Sequence, residues 1–269
     1  MQGWKRSFFS VGGKEVLIKS VGQAIPAYAM SVFRLPKGFC EEVSQMFARF
    51  WWGSSNDTKK LHWMSWERMC LPKELGGLNF RDLEGFNQAL VAKQVWRVLQ
   101  NPNILVSRVL KAKYFHDSLV LQATHLRNQS YFWKGFIWGR DLLIKGLRSR
   151  VGNGSTINIF SDPWIPRPYS FRPITAPFGP YDVKVADLIN PNGQWDVHLI
   201  SYIFCEEDRD LILSMPVSPY NSVDSWIWHF DKRGHYNVKS VINSIYIRSA
   251  MVYLQVQALG DIIGRLFGS

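Results

Sequence analysis

Six prolines stand at Pro163, Pro166, Pro168, Pro173, Pro177 and Pro180. Each fixes its own φ and offers no backbone N–H, so no helix interior or central strand can run through this stretch. Regular structure must be assembled on either side of it. The stretch reads as a linker or an extended wrap, and it sets a domain boundary. A chain of 269 residues fits one large domain or two modest ones.

Upstream the apolar residues recur at helical spacing. From Lys14, one face carries Leu17, Ile18, Val21, Ile25, Tyr28, Ala29 and Val32, with Pro26 set to kink or split the helix. Leu35-Pro36-Lys37-Gly38 is a break. A second stripe holds Phe39, Val43, Met46, Phe47 and Phe50, and Gly53-Ser54-Ser55-Asn56-Asp57 ends it. A third helix is expected over Leu83–Leu99, stopped by Asn101-Pro102-Asn103, and a shorter one from Ile104 to Lys113. Ser130 is the expected N-cap of a fifth, whose face runs from Trp133 to Leu147.

The pattern then changes. Asn153-Gly154 lies between β-prone residues in Arg150–Ile157, the strongest short hairpin signal, since a type I′ turn needs positive φ twice. Beyond the prolines, Val185–Ile189 and Ile200–Leu213 are expected helices. Trp226, Trp228 and Phe230 alternate as a strand. Asp231–Gly234 is a turn, His235–Val238 a returning strand, and Lys239–Arg248 a final helix. The expected fold class is mainly α, α+β overall, with a helical N-terminal half and a mixed C-terminal part of short β-hairpins and helices. The division is 1–162 helical, basic and ending in a hairpin; 163–180 linker; 181–249 small and mixed; 250–269 a divergent tail.

Composition narrows the function classes. The apolar fraction of 46% and charged fraction of 20% exclude a chain disordered throughout. The 12 Trp, 17 Phe and 10 Tyr supply core or stacking surface. Cys40, Cys70 and Cys205 form no Cys-x-x-Cys pair, which fits a reducing, intracellular setting, nucleus or cytoplasm. The uncharged run between Lys19 and Arg34 is too short to span a membrane, and no sustained apolar core of a signal peptide follows Met1–Arg6.

Charge is divided unevenly. Residues 1–150 hold 23 Lys and Arg against 10 Asp and Glu, a net of +13, while residues 151–269 are net −2. Such asymmetry points to a polyanion partner for the first half or to a solvated basic surface without one.

Most site chemistries lack their residues. His62 and Cys70 are eight apart with no second pair, and His229 with His235 makes half a zinc site. No Asp-Asp pair sits where a two-metal polymerase or nuclease needs it. The run Glu206-Glu207-Asp208-Arg209-Asp210 would spread around a helix axis, as a solvated helix start with acids near the positive dipole end. Asp162 reads as an N-cap or turn acceptor. Gly12-Gly13-Lys14 is a helix entry without Walker spacing, and Val151-Gly152-Asn153-Gly154 is a turn without a strand–helix frame. No catalytic residue, cofactor, metal or small-molecule substrate is expected.

Nucleic-acid binding keeps support. Lys5, Arg6, Lys14 and Lys19 cluster at the start. Lys59 and Lys60 lead into Leu61-His62-Trp63-Met64-Ser65-Trp66, interleaving cations with aromatics. Arg108, Lys111 and Lys113 lie within two helical turns. Cations neutralise phosphates and exposed rings stack on bases, although core packing is the commoner fate of a Trp.

A set of collinear motifs adds a resemblance. Gly12-Gly13-Lys14-Glu15-Val16-Leu17-Ile18-Lys19-Ser20-Val21 is followed by Ile25-Pro26-Ala27-Tyr28-Ala29-Met30-Ser31. Then come Phe50-Trp51-Trp52-Gly53, His62–Trp66, Pro72-Lys73-Glu74-Leu75-Gly76-Gly77-Leu78, and Phe86-Asn87-Gln88-Ala89-Leu90-Val91-Ala92-Lys93. Lys111–Phe115, Val151–Gly154, Asp162-Pro163-Trp164-Ile165 and Gly234-His235-Tyr236-Asn237-Val238-Lys239-Ser240 continue the order. From residue 3 to about 248 the chain resembles the region after the catalytic palm in plant LINE-type, non-LTR retrotransposon reverse transcriptases. The resemblance implies a helical thumb that grips template–primer duplex, then a connecting region up to the start of a zinc-binding segment. The family's palm, with its metal-binding carboxylates, and its ribonuclease H domain have no counterpart here. No Cys follows Cys205, and the tail Ala250–Ser269 departs from the family pattern. The implied partners are RNA or template–primer duplex and other retroelement protein parts, with no membrane.

Overall fold

The computed structural model describes residues 9–53, 61–116, 118–124, 127, 129–167, 170–177, 182–217 and 222–246. Two compact units emerge: unit 1 is Met1–Arg140 with Val238–Ser269, and unit 2 is Asp141–Asn237. The described residues are mainly helical, with one two-stranded antiparallel sheet, in accord with the expected class.

Unit 1 follows the apolar stripes. Helix α1 (Val11–Leu17) starts at Ser10, whose Oγ accepts from the Gly13 N–H at 3.2 Å. It widens into a π turn over Ile18–Gly22 and then breaks. Pro26 takes the N-cap of α2 (Ala27–Val32), so the expected long helix is split rather than kinked. Helix α3 (Lys37–Trp52) ends on Gly53 at φ +73°, a left-handed cap that glycine adopts without strain. The short α4 (Trp66–Cys70), capped by Ser65, and a 3₁₀ turn at Lys73–Leu75 form where no periodicity predicts helix. Helix α5 (Leu83–Gln100) starts on Asp82, whose carboxylate accepts from the Glu84 and Gly85 N–H groups at 3.2 and 3.1 Å. Helix α6 spans Leu105–Tyr114. Ser130 caps α7 (Tyr131–Ile144) as expected, accepting from the Trp133 N–H at 3.2 Å. Residues 238–246 form α10, which packs in unit 1.

One core of this unit gathers Ile18, Met30, Phe47, Phe50, Met69, Phe80 and Leu83 with the two thiols Cys40 and Cys70. Asn87, buried on α5, ties the end of α2 to it. Its Oδ1 accepts from Leu35 N–H at 2.8 Å, and its Nδ2 donates to the Met30 and Phe33 carbonyls at 2.7 and 2.8 Å. Gly139 lets α7 approach α5: a Cβ there would stand 2.8 Å from the Ala92 nitrogen.

Three local elements of unit 2 differ from the sequence reading. Strand β1 (Leu147–Arg150) does not turn back at Asn153-Gly154. It pairs with β2 (Ser225–Trp228), in the register Leu147↔Trp228 to Arg150↔Ser225. The hairpin signal loses to long-range pairing because a distant carboxylate holds the loop open. Asp224 accepts from the N–H groups of Gly152, Gly154 and Thr156 and from the Thr156 hydroxyl, at 2.8–3.0 Å. Gly152 is required there, since a Cβ would fall 2.1 Å from the Ser222 carbonyl.

The helix expected over Ile200–Leu213 is two, α8 (Val197–Ile203) and α9 (Glu206–Ser214), separated by extended Phe204 and Cys205. The returning strand at His235–Val238 does not form. Gly234 closes the turn instead, its carbonyl accepting from Trp228 N–H at 2.9 Å.

The proline-rich stretch lies inside unit 2, and the division into compact units falls elsewhere than the prolines. The N–H groups of Trp164 and Ile165 both donate to the Phe171 carbonyl, at 2.7 and 2.9 Å, and all three side chains are buried. The turn is made by Phe171 at φ +54°. Trp164, Ile165, Val185, Leu188, Ile200 and Ile212 share the core of this unit. Both core indoles are satisfied: Trp164 Nε1 donates to the Ile159 carbonyl at 2.8 Å and Trp195 Nε1 to the Met215 carbonyl at 2.7 Å.

Candidate nucleic-acid interface

The charge division follows the compact units. Unit 1 carries 23 Lys and Arg against 10 Asp and Glu, and unit 2 carries 9 against 11. The expected cations do not form one patch. Lys5, Arg6, Lys59 and Lys60 lie outside the described residues. Lys14 is half-buried, with Nζ donating to the Trp51 carbonyl at 3.3 Å. Lys19 is bound more tightly. Its Nζ stands 2.6 Å from Glu15 Oε1 and 2.7 Å from the Leu78 carbonyl, and 5.4 Å from the Phe80 ring centroid. The Lys19 ammonium holds the Glu15 carboxyl below its ordinary value.

Arg108, Lys111 and Lys113 are exposed along α6. Ser107 and Leu110 anchor the inner side of that helix, while the Lys113 ammonium stands 5.3 Å from the Tyr114 ring. Among the expected cations within the described residues, these three are the solvent-facing ones.

Lys19 borders a cleft of about 590 Å³ that periodicity did not reveal. Lys73, Arg81 and Lys239 line it with Asp82 and Tyr246. The three cations come from the 3₁₀ turn, the entry to α5 and α10, so they are far apart in sequence. Arg81 is steered by its neighbours: its guanidinium stacks 4.6 Å from the Phe86 centroid and Nη1 donates to the Gln23 carbonyl at 3.4 Å. Gln23 is fully buried beside the cleft, and its side-chain oxygen accepts no hydrogen bond among the described residues. The signal that could have located this cleft is the Pro72–Leu78 motif: a Cβ on Gly77 would fall 2.0 Å from the Leu71 carbonyl, so the chain must turn tightly there.

The aromatic–cation run divides its duties. Trp66 is packed, its ring stacked 5.0 Å from Phe80 and tilted against Phe47 at 5.8 Å. Trp52 stacks on His62 at 5.8 Å. Trp63 is 80% exposed, an indole face open to a base.

Acidic groups are used structurally. Asp162 accepts from Asn158 N–H at 2.7 Å, as its reading as a turn acceptor requires. The acidic run behaves otherwise than expected at one position, because Asp208 is wholly buried. It pairs with Arg167 Nη2 at 2.5 Å and accepts from the N–H groups of Ile174 and Thr175 and the Thr175 hydroxyl. Among the described residues, no three His, Cys, Asp or Glu side chains gather as a metal site needs, and no helix is long and apolar enough to cross a membrane.

No protein-family profile and no solved structure matches the chain. Two plant proteins do. A protein of Arabidopsis thaliana provisionally named a ribonuclease H protein is 28% identical over 258 residues, covering 92% of this chain and 41% of its own length. An uncharacterized mitochondrial protein of the same plant is 42% identical over 143 residues, covering 53% of this chain and 93% of its own length. At that identity, over nearly the whole of the shorter relative, this chain belongs to the family of that mitochondrial protein.

Proposed function

We propose that the chain is a non-catalytic part of a retroelement reverse transcriptase, from the thumb and connection region of a LINE-type enzyme, and that unit 1 binds RNA or template–primer duplex without sequence preference. The observation that carries this reading is the coincidence of charge and structure. The whole positive excess falls in unit 1, where Arg108, Lys111 and Lys113 face solvent and Lys73, Arg81 and Lys239 line one cleft. The name of the longer relative, of which this chain spans 41%, supports an origin in a nucleic-acid enzyme. The collinear motifs supply the retroelement assignment. The absence of catalysis is inferred from the carboxylates, since Asp82, Asp162, Asp208 and Asp224 are bound to backbone N–H groups rather than gathered.

The test is binding of the full chain to a primed RNA template across a salt series. The log of affinity should fall linearly with the log of salt, with a slope of roughly 0.7–0.9 per phosphate contact. Salt-insensitive capture of a protein instead would favour an interaction module, a reading supported by the exposed apolar side chains Val11 and Val16 of α1, Tyr28 of α2 and Ile25 in the turn before α2. Extension of the primer by the chain alone would overturn the non-catalytic assignment.

A further inference from the structure

Unit 2 is acidic overall, yet it holds a local excess of positive charge. Arg148 and Arg150 are two apart on β1 and so project to one face of the sheet. The turn after β2 brings Lys232 to the same cleft, of about 520 Å³. We propose that Arg148, Arg150 and Lys232 form a phosphate-binding cleft in unit 2, separate from the basic surface of unit 1.

The first argument is the missing counter-charge. Arg148 is partly buried. Its Nε donates to His229 Nδ1 at 3.2 Å and its Nη1 to the Trp164 carbonyl at 3.5 Å, and neither acceptor is an anion. The Arg150 side chain has no hydrogen-bond or ion-pair partner among the described residues. No acid pairs with either arginine among the described residues. Asp208 holds Arg167, and Asp224 holds the Gly152–Thr156 loop. Asp231, which lines the cleft, accepts from Arg233 N–H at 2.9 Å and from Asn237 Nδ2 at 2.8 Å. Burial, and then repulsion by Arg150, pulls the Arg148 guanidinium below its ordinary value. A partly buried cation without a counter-ion is costly, and a bound anion removes that cost.

The second argument is shape. The Arg150 Nη2 lies 3.2 Å from the point a Gly234 Cβ would occupy, so the guanidinium lies close along the turn. Gly234 has φ +75°, which a side chain would strain. Met215, Pro216, Val217 and Ile227 give the cleft apolar walls, where a charge-assisted bond is stronger than in open water. Guanidinium forks match the oxygens of phosphate, and Lys232 adds a compact point charge. The phosphate can belong to a nucleic-acid strand or to a free phosphate compound.

The experiment is calorimetric titration of the full chain with inorganic pyrophosphate and, separately, with a five-nucleotide single-stranded RNA. The variants are Arg150→Gln and Lys232→Gln, both at exposed positions, with circular dichroism as the check on folding. The expected result is saturable pyrophosphate binding that each variant weakens roughly tenfold, the loss of one charge-assisted contact. Arg108→Gln with Lys111→Gln in unit 1 should leave pyrophosphate binding unchanged, which separates this site from the function proposed above. RNA binding weakened in parallel by Arg150→Gln identifies a strand phosphate; RNA binding unaffected by it identifies a free phosphate compound. No saturable pyrophosphate binding, or equal binding by a folded variant that combines Arg150→Gln with Lys232→Gln, overturns the proposal.

Discussion

The two units hold themselves together by different means. Unit 1 relies on helices: α3 and α5 are 16 and 18 residues long and bury apolar stripes against each other's neighbours. In unit 2, α8 and α9 have seven and nine residues, and the sheet has two strands of four. Its loops are strapped by carboxylates that collect several donors each, as Asp208 and Asp224 do. Long helices tolerate the loss of one polar contact better than a loop-built unit does, because their own backbone bonds remain.

The largest effect should therefore come from a strap. Asp208→Ala leaves Arg167 without its partner and two backbone N–H groups without their acceptor. Breaking a buried ion pair from one side costs about 3–5 kcal/mol. Urea denaturation followed by tryptophan fluorescence should show a loss in that range. The matching change in unit 1 is Asn87→Ala, which frees Leu35 N–H and the Met30 and Phe33 carbonyls. We expect a smaller loss, about 2–3 kcal/mol, from buried groups left unsatisfied. The reverse order of the two losses would break the comparison.

What could be read from the sequence divides along the same line. Helices α3, α5, α6 and α7 were legible because a 3.6-residue period acts within a few turns, and at α7 the capping Ser130 adds a start signal. Unit 2 was legible in composition and not in connection. Asn153-Gly154 carries a strong local hairpin signal, but Asp224, about 70 residues on, takes the N–H groups that a hairpin would need. Nothing local in Trp164-Ile165 and Phe171 announces that a proline-rich segment will be core. The candidate interface shows the same limit. Exposed cations on α6 follow from its spacing, whereas the Lys73–Arg81–Lys239 cleft depends on a tertiary return from the far end of the chain. Lys19, prominent in the sequence, is largely engaged by Glu15 and Leu78.

Acid should sharpen the difference between the units. Burial, then the nearby Arg148 charge, pushes the His229 imidazole down to about 4 from an ordinary 6.5. The unfolded chain then binds the proton more readily than the folded one, so stability rises with pH across that window. His229 contributes fully above about pH 6.5, and its contribution is lost as pH falls toward 4. Asp208 and Asp224 are both held below the carboxylate range, despite burial, by the Thr175 and Thr156 groups that donate to them. Their contribution is present above the unfolded carboxylate value and lost as pH falls through the lower folded value. Urea midpoints measured from pH 8 to 4 should stay level and then decline below pH 6.5. His229→Gln should flatten the first part of that decline and leave the acid limb due to the aspartates. A wild-type midpoint that stays level down to pH 5 would show that His229 is solvated and that this unit lacks the buried imidazole.

The smallest effect concerns the cations and tests whether engagement within the fold removes a side chain from phosphate binding. Lys19 has its ammonium within 2.7 Å of two oxygen acceptors, while Arg108 and Lys111 are exposed on α6. Phosphate binding through Lys19 would have to displace Glu15, whereas binding through α6 displaces only water and counterions. In the salt series, Arg108→Gln and Lys111→Gln should each lower the slope by roughly 0.7–0.9, one contact apiece. Lys19→Gln should change the slope by less than about half a contact on the same scale and act through stability instead. Equal slope changes at all three positions would mean that nucleic acid competes successfully for Lys19. Its pair with Glu15 would then be a resting contact, and the cleft lined by Lys73, Arg81 and Lys239 would be the centre of the interface rather than its margin.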